Sequence, residues 1–204
     1  MLSYDGSLST SSERDAEFDA IVGGLVGPLL EMCSLAAQPL KPLESAMFRV
    51  NCLNYIQTTL TSFSFTSTHI QTLETQIDEQ VDILVNEQYS VILKQSGLEP
   101  LVRHMDSMQP PFALSKFTDS KAVSDAMAKL GVFLVTVTVD VSETLSRINS
   151  VQISRRVSHL GFHRFVEVYR RVYNNIMNPK NKYEFPSSLL NRTVEEVETL
   201  LSLL

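Results

Sequence analysis

Three side chains come closest to a catalytic arrangement in this 204-residue chain: His159, His163 and Glu167. They stand at i, i+4 and i+8, so a helix would project all three from one side. Two imidazoles and a carboxylate so placed could hold a metal ion with one further ligand from elsewhere. The intervening residues argue against it. His159-Leu160-Gly161-Phe162-His163 has no glutamate between the histidines, where a metalloprotease helix carries its general base. The trio reads as a polar helix face. Gly23-Gly24-Leu25-Val26-Gly27-Pro28 has the glycines of a phosphate-cradling loop, but no Lys-Ser/Thr follows and Pro28 removes an amide. It reads as a helix weakened or kinked in the middle. Asn191-Arg192-Thr193 matches a glycosylation acceptor, and helix capping explains Thr193 better. No Ser–His–Asp set, carboxylate pair or Cys–His pair is placed by spacing. The chain reads as a non-enzymatic interaction domain, with no catalytic, cofactor-binding or metal residues and no cofactor.

The remaining chemistry is charge. Residues 1–100 hold 13 acidic and 4 basic side chains, and residues 101–204 hold 10 and 13, within a net charge of −6. This imbalance can orient partners but is no nucleic-acid footprint. Arg155, Arg156, Arg164, Arg170 and Arg171, with Lys180 and Lys182, are the candidate partner-binding residues. They read either as a solvated face or as a dock for an acidic helix or an anionic membrane surface.

Helices must position these residues. The first is expected over Glu13–Ala37, burying Phe18, Ile21, Val22, Leu25, Leu29, Met32 and Leu35, after a disordered tail at 1–12. Pro39 and Pro42 end it. A second, from Leu43 to about Phe63, turns Met47, Val50, Leu53 or Asn54, Ile56 and Leu60 inward. Thr66–Gln95 is the most regular, with Ile70, Leu73, Ile77, Val81, Leu84, Val85, Val91 and Ile92 on one stripe. Gly97 caps it and Pro100 opens a short fourth helix. Residues 109–118, with Pro110-Pro111, form a loop and a boundary between helical sub-bundles at 13–108 and 119–204.

Asp119 to about Leu134 is helical. Phe133–Val139 alternates like a strand, but with no partner strand it reads as a helix end and connection. A short helix over Ser142–Ile148 leads into a long one over Val151–Met177, facing inward with Ile153, Val157, Leu160, Phe165, Val168, Val172 and Ile176. Thr193-Val194-Glu195-Glu196 is a capping box that starts the last helix. The fold class is all-α, an elongated helical bundle or rod. Cys33 and Cys52, in apolar patterns, read as buried thiols of a reducing compartment. No stretch approaches the roughly 20 apolar residues of a membrane span, so the protein is expected in the cytosol, meeting membranes only through partners.

The wording of several segments goes further. Val172-Tyr173-Asn174-Asn175-Ile176-Met177-Asn178-Pro179-Lys180-Asn181-Lys182-Tyr183 and the ending from Leu190-Asn191-Arg192-Thr193 to Ser202 resemble the C-terminus of subunit six of the conserved oligomeric Golgi complex. Val50–Leu60, Phe63–Thr66, Leu73–Ile77, Asp82–Gln88 and Pro28–Cys33 are similar to the same family, so the resemblance spans most of 21–204. The match is poor from about Gly131 to Ser154. The resemblance implies a helical rod of the tethering-complex type, at the cytosolic face of the Golgi membrane, in retrograde vesicle tethering. The partners it implies are other subunits of the complex, Golgi SNAREs and Rab GTPases. Family members are several times longer, so the chain looks like their C-terminal portion alone. A generic helical scaffold docking on anionic membranes through its basic half is the alternative.

Overall fold

Three-to-four-residue recurrence of apolar side chains, with few glycines to interrupt it, dictates helix through most of the chain. The computed structural model describes residues 11–137 and 145–203, and among the described residues there is no strand. The helices are α1 (Ser11–Ala37), α2 (Pro42–Leu60), α3 (Ser67–Gln95), α4 (Glu99–Ser107), α5 (Ser120–Thr136), α6 (Val151–Met177), α7 (Pro186–Leu189) and α8 (Val194–Ser202). Single 3-10 turns lie at Ser64–Thr66, Phe112–Leu114 and Pro179–Asn181. The all-α class expected from the sequence is the one observed.

Local chemistry sets the boundaries. Pro42 opens α2 and Pro100 sits in the first turn of α4, where a missing amide costs nothing. Gly97, between α3 and α4, has φ +74°, and a Cβ there would lie 2.7 Å from Lys129 Cδ. Both the backbone angle and the space demand glycine. Asp119 caps α5 by accepting from the Ala122 amide at 2.8 Å. Thr193 and Glu196 form the expected capping box of α8, at 3.2 and 2.9 Å.

The chain packs as two compact units, 1–83 and 84–204, divided within α3. The loop 109–118 belongs to the second unit, where Thr118 and Phe112 are buried and joined by a 2.6 Å hydrogen bond.

In the first unit, α1 packs on α2 and on the turn at Ser64–Thr66. Met47, Val50, Leu53, Ile56 and Leu60 of α2 are buried with Leu73, Ile77 and Val81 of α3, as their spacing predicts. The expectation for α1 needs correction. Val26 and Ala37 are buried, whereas Phe18, Ile21, Leu25, Leu29, Met32 and Leu35 are exposed. The helix is apolar around most of its circumference, so periodicity offers two stripes and does not say which one is covered. Gly23 marks the side that approaches α3: a Cβ there would sit 3.4 Å from His69.

Two related expectations also change. Glu17–Ala37 is long and apolar enough to cross a membrane by length and composition, with mean hydropathy 1.7. Its Gly, Ala and Pro keep the apolar run short to the eye without making the segment polar. Cys33 and Cys52 are free thiols, partly exposed rather than buried, and hydrogen-bonded to each other.

The second unit has one continuous core. Phe162, Phe165, Tyr169, Val172 and Ile176 of α6 meet Val123, Met127 and Leu130 of α5, with Ile92 and Leu98 from the end of α3 and beyond. Each such large side chain contributes about 1.5–3 kcal/mol on burial. Helix α8 lies on α6 through Val197 and Leu201. Gly161 lets α6 approach α3 closely, for a Cβ there would be 2.8 Å from Gln88 Cγ. The valine/threonine alternation resolves as helix through Thr136. Residues 138–144, which include the start of the expected Ser142–Ile148 helix, lie outside the described residues.

Candidate partner-binding face

Five of the seven basic residues, the arginines, follow from the amphipathic register of α6, and the two lysines lie in the turn after it. Its inward stripe fixes which positions face out, and the arginines fall on the outward ones. The structure then separates them by what they touch. Arg164 donates to Asn86 Oδ1 of α3. Arg171 Nη2 lies 3.0 and 3.1 Å from the two carboxylate oxygens of Asp106 on α4. Arg170 lies 3.4 Å from Glu167 and 3.5 Å from Glu198 of α8. These three serve as struts between α6 and its neighbours. Partly exposed ion pairs of this kind contribute about 0–1 kcal/mol each.

Arg155, Lys180 and Lys182 are exposed. They are not brought together: Arg155 lies near the start of α6 and the lysines follow its end, about 33 Å along the axis. Lys182 occupies the left-handed region at φ 61°, closing the turn after α6 with its backbone amide bonded to Pro179 O at 3.1 Å. Arg156 has its own interaction within the chain. The basic half is thus a set of separated cations and internal struts.

The polar trio is split as well. His159 and His163 line an open cleft of about 300 Å³ between α6 and α8, with Arg155, Ser158, Glu198 and Ser202 around apolar Phe162, Val166 and Leu201. Glu167 turns instead to Arg170. Among the described residues, no three His, Cys, Asp or Glu side chains are grouped so as to hold a metal ion. Sequence spacing could not have found this cleft, because Leu201 and Glu198 arrive from α8, whose docking is a tertiary event.

The Asn178–Tyr183 turn is where the sequence is most distinctive, and two of its side chains, Asn181 and Tyr183, are buried. Asn178 Oδ1 accepts from the Lys180 amide at 3.0 Å. Buried Asn181 donates to Asn175 O at 2.7 Å. Tyr183 donates to Thr118 O and Tyr169 to Arg192 O, both at 2.6 Å. Burial pushes both phenols up to about 12, with smaller contributions from Tyr173 and Glu196 at Tyr169 and from Asp119 at Tyr183.

A family described as Conserved Oligomeric Golgi complex subunit 6, C-terminal, matches residues 1–201. The chain belongs to this family. Proteins named Conserved oligomeric Golgi complex subunit 6 are similar to it across animals. The Bos taurus protein is 32% identical over 205 residues, covering 99% of this chain and 31% of its own length. The Homo sapiens protein is 30% identical with the same coverage. The Drosophila melanogaster protein is 28% identical over 189 residues, 93% of this chain and 29% of its own length. The chain therefore spans under a third of the length of the curated relatives it matches. No solved structure matches. For a Golgi complex subunit 6 C-terminal segment, the consequence is physical: the wording that carries the resemblance around Asn178–Tyr183 and Thr193 consists of internal pins and a helix cap. Asn181, Tyr183 and Thr193 hold the second unit together, while Lys180 and Lys182 of the same turn remain exposed.

Proposed function

We propose that the chain acts as the C-terminal part of a non-enzymatic subunit of a Golgi vesicle-tethering complex. Its work is to bind the other subunits of that complex, Golgi SNAREs and Rab GTPases, at the cytosolic face of the Golgi membrane. In that role it supports intra-Golgi retrograde transport and the recycling of glycosylation enzymes. The observation that carries this reading is the family match across residues 1–201. An all-helical chain with two apolar cores and separated surface cations is consistent with it, since helical docking needs exposed helix faces and no built catalytic pocket. Arg155, Lys180 and Lys182 suit contacts with acidic partner helices.

The test is affinity recovery of the tagged chain from cells, beside a full-length relative of subunit 6 as reference. Recovery of other complex subunits with both proteins is the expected result. Recovery by the full-length relative alone, with no subunit, SNARE or Rab held by this chain, would sink the proposal for this segment.

A further inference from the structure

Helix α1 carries two apolar stripes and the first unit covers only one. The inner stripe is Val22, Val26, Leu30, Cys33 and Ala37, buried or partly so. The outer residues Phe18, Ile21, Leu25, Pro28, Met32 and Leu35 are spaced 3, 4, 3, 4 and 3 and are exposed, Phe18 being also stacked on Phe65 at 5.6 Å so that the open strip begins at Ile21. Leu25 is 68% and Met32 66% exposed, values ordinary for lysine and not for the apolar seam of a helix. A 3-4 alternation averages 3.5 residues, the period at which two helices supercoil with knobs in holes. The residues from Phe18 to Leu35 run roughly 25 Å along the helix. A helix apolar around both faces is normally covered on both.

Charge selects the occupant. One edge of the seam is the line Glu17, Gly24 and Glu31, and the opposite edge is Val22, Leu29 and Ala36. There is no Lys or Arg between positions 15 and 40, while Asp15, Glu17, Asp19 and Glu31 are all acidic. We infer that the outer face of α1 docks one further helix, amphipathic, apolar at its own 3-4 positions and carrying Lys or Arg along the edge that meets Glu17 and Glu31. A second copy of α1 fits worse. Antiparallel pairing sets Glu17 against Glu31 of the other copy, and parallel pairing sets both against apolar side chains. A bilayer also fits worse, because helices that lie on membranes bear Lys and Arg beside the apolar face, and anionic lipid repels this edge. The inference concerns the strip itself and stands whichever complex the chain serves.

Two synthetic four-heptad peptides provide the probe, both with Ile and Leu in the seam. One has lysine and the other glutamate at every edge position, so like-charge repulsion keeps each monomeric. Fluorescence anisotropy with the 204-residue chain is expected to show saturable one-to-one binding of the lysine peptide and weaker binding of the glutamate peptide. Leu25→Asp and Met32→Asp should each weaken the lysine peptide by roughly a hundredfold. Both positions are exposed, so circular dichroism melts of these variants should match the parent. The double variant Glu17→Lys, Glu31→Lys should reverse the peptide preference, which a merely sticky surface would not do.

Three outcomes overturn the inference. One is equal binding of both peptides, or binding untouched by the seam variants. Another is a concentration-dependent dimer in sedimentation that Met32→Asp abolishes, which assigns the strip to self-association. The third is flotation with phosphatidylcholine–phosphatidylserine vesicles that Leu25→Asp abolishes, which assigns it to membrane.

Discussion

Tyr183 donates its hydroxyl to the carbonyl oxygen of Thr118 at 2.6 Å, across 65 positions of sequence. Both residues are buried, and Thr118 in turn donates its own hydroxyl to Phe112 O. The bond ties the turn after α6 to the loop before α5. Removing the donor leaves a buried carbonyl with no replacement in water. Tyr183→Phe is therefore expected to destabilise the second unit by about 1–3 kcal/mol. Urea denaturation followed by circular dichroism measures this, and an unchanged midpoint would refute it.

Alkaline pH should act through the same phenols. Tyr169 and Tyr183 are raised from 10.0 to about 12 in the folded chain, chiefly by burial. Unfolded, they ionise near 10, so the unfolded state releases protons first as pH rises. Their contribution is full below about pH 10 and is lost between about 10 and 12. Urea midpoints measured from pH 8 to 11.5 should fall across the upper part of that range. Tyr183→Phe and Tyr169→Phe should each flatten the fall.

Gly161 sits where α6 presses on Gln88 of α3. A Cβ at 161 would lie 2.8 Å from Gln88 Cγ and 3.3 Å from its Cβ, too near the backbone for a rotamer change alone to relieve. Alanine would gain about 1 kcal/mol of helix propensity. Overpacking is expected to outweigh that gain, for a net loss of about 1–2 kcal/mol in Gly161→Ala. A melting temperature raised by the substitution would show that the two helices separate freely.

The capping box gives a local prediction. Thr193→Ala removes the acceptor of the Glu196 amide and should cost about 1 kcal/mol. The loss should appear as faster hydrogen exchange of α8 amides, with the core amides of α6 little changed. Uniform acceleration across the second unit would mean that α8 does not open on its own.

Cys52 should be slow to react. Burial raises its thiol from 9.0 to about 11, helped by the hydrogen bond its S–H donates to Cys33 and by the proximity of that second thiol. At neutral pH the thiolate is scarcer, and the gain in intrinsic nucleophilicity offsets only part of this. Alkylation of Cys52 is expected to be roughly tenfold slower in the folded chain than in urea. Mass spectrometry of site-resolved labelling reads the ratio. Like the tyrosines, this thiol gives stability that is full below about pH 9 and lost by about pH 11.

Helices α3 and α6 are legible because each has an apolar stripe, a polar face and a stop, at Gly97 and Asn178, and α2 because its buried residues recur at three and four. The caps at Asp119 and Thr193 were legible for the same local reason, since a side chain and an amide three residues apart need no distant partner. Helix α1 departs from its expected burial because it has two apolar stripes and no local rule ranks them. The basic residues could be named but not grouped. Whether Arg171 is a docking cation or a strut depends on Asp106, which reaches it from another helix.

Residue order alone carries the all-helical class, the principal helices, the caps and the family. All of these rest on short-range spacing, or on residue order that needs no distant contact. Packing in three dimensions sets which face of α1 is covered, makes Tyr183 and Asn181 internal pins, and braces Arg164, Arg170 and Arg171 of α6. Burial and pairing are relations between distant segments, and a helix exposes or hides a stripe according to what packs on it.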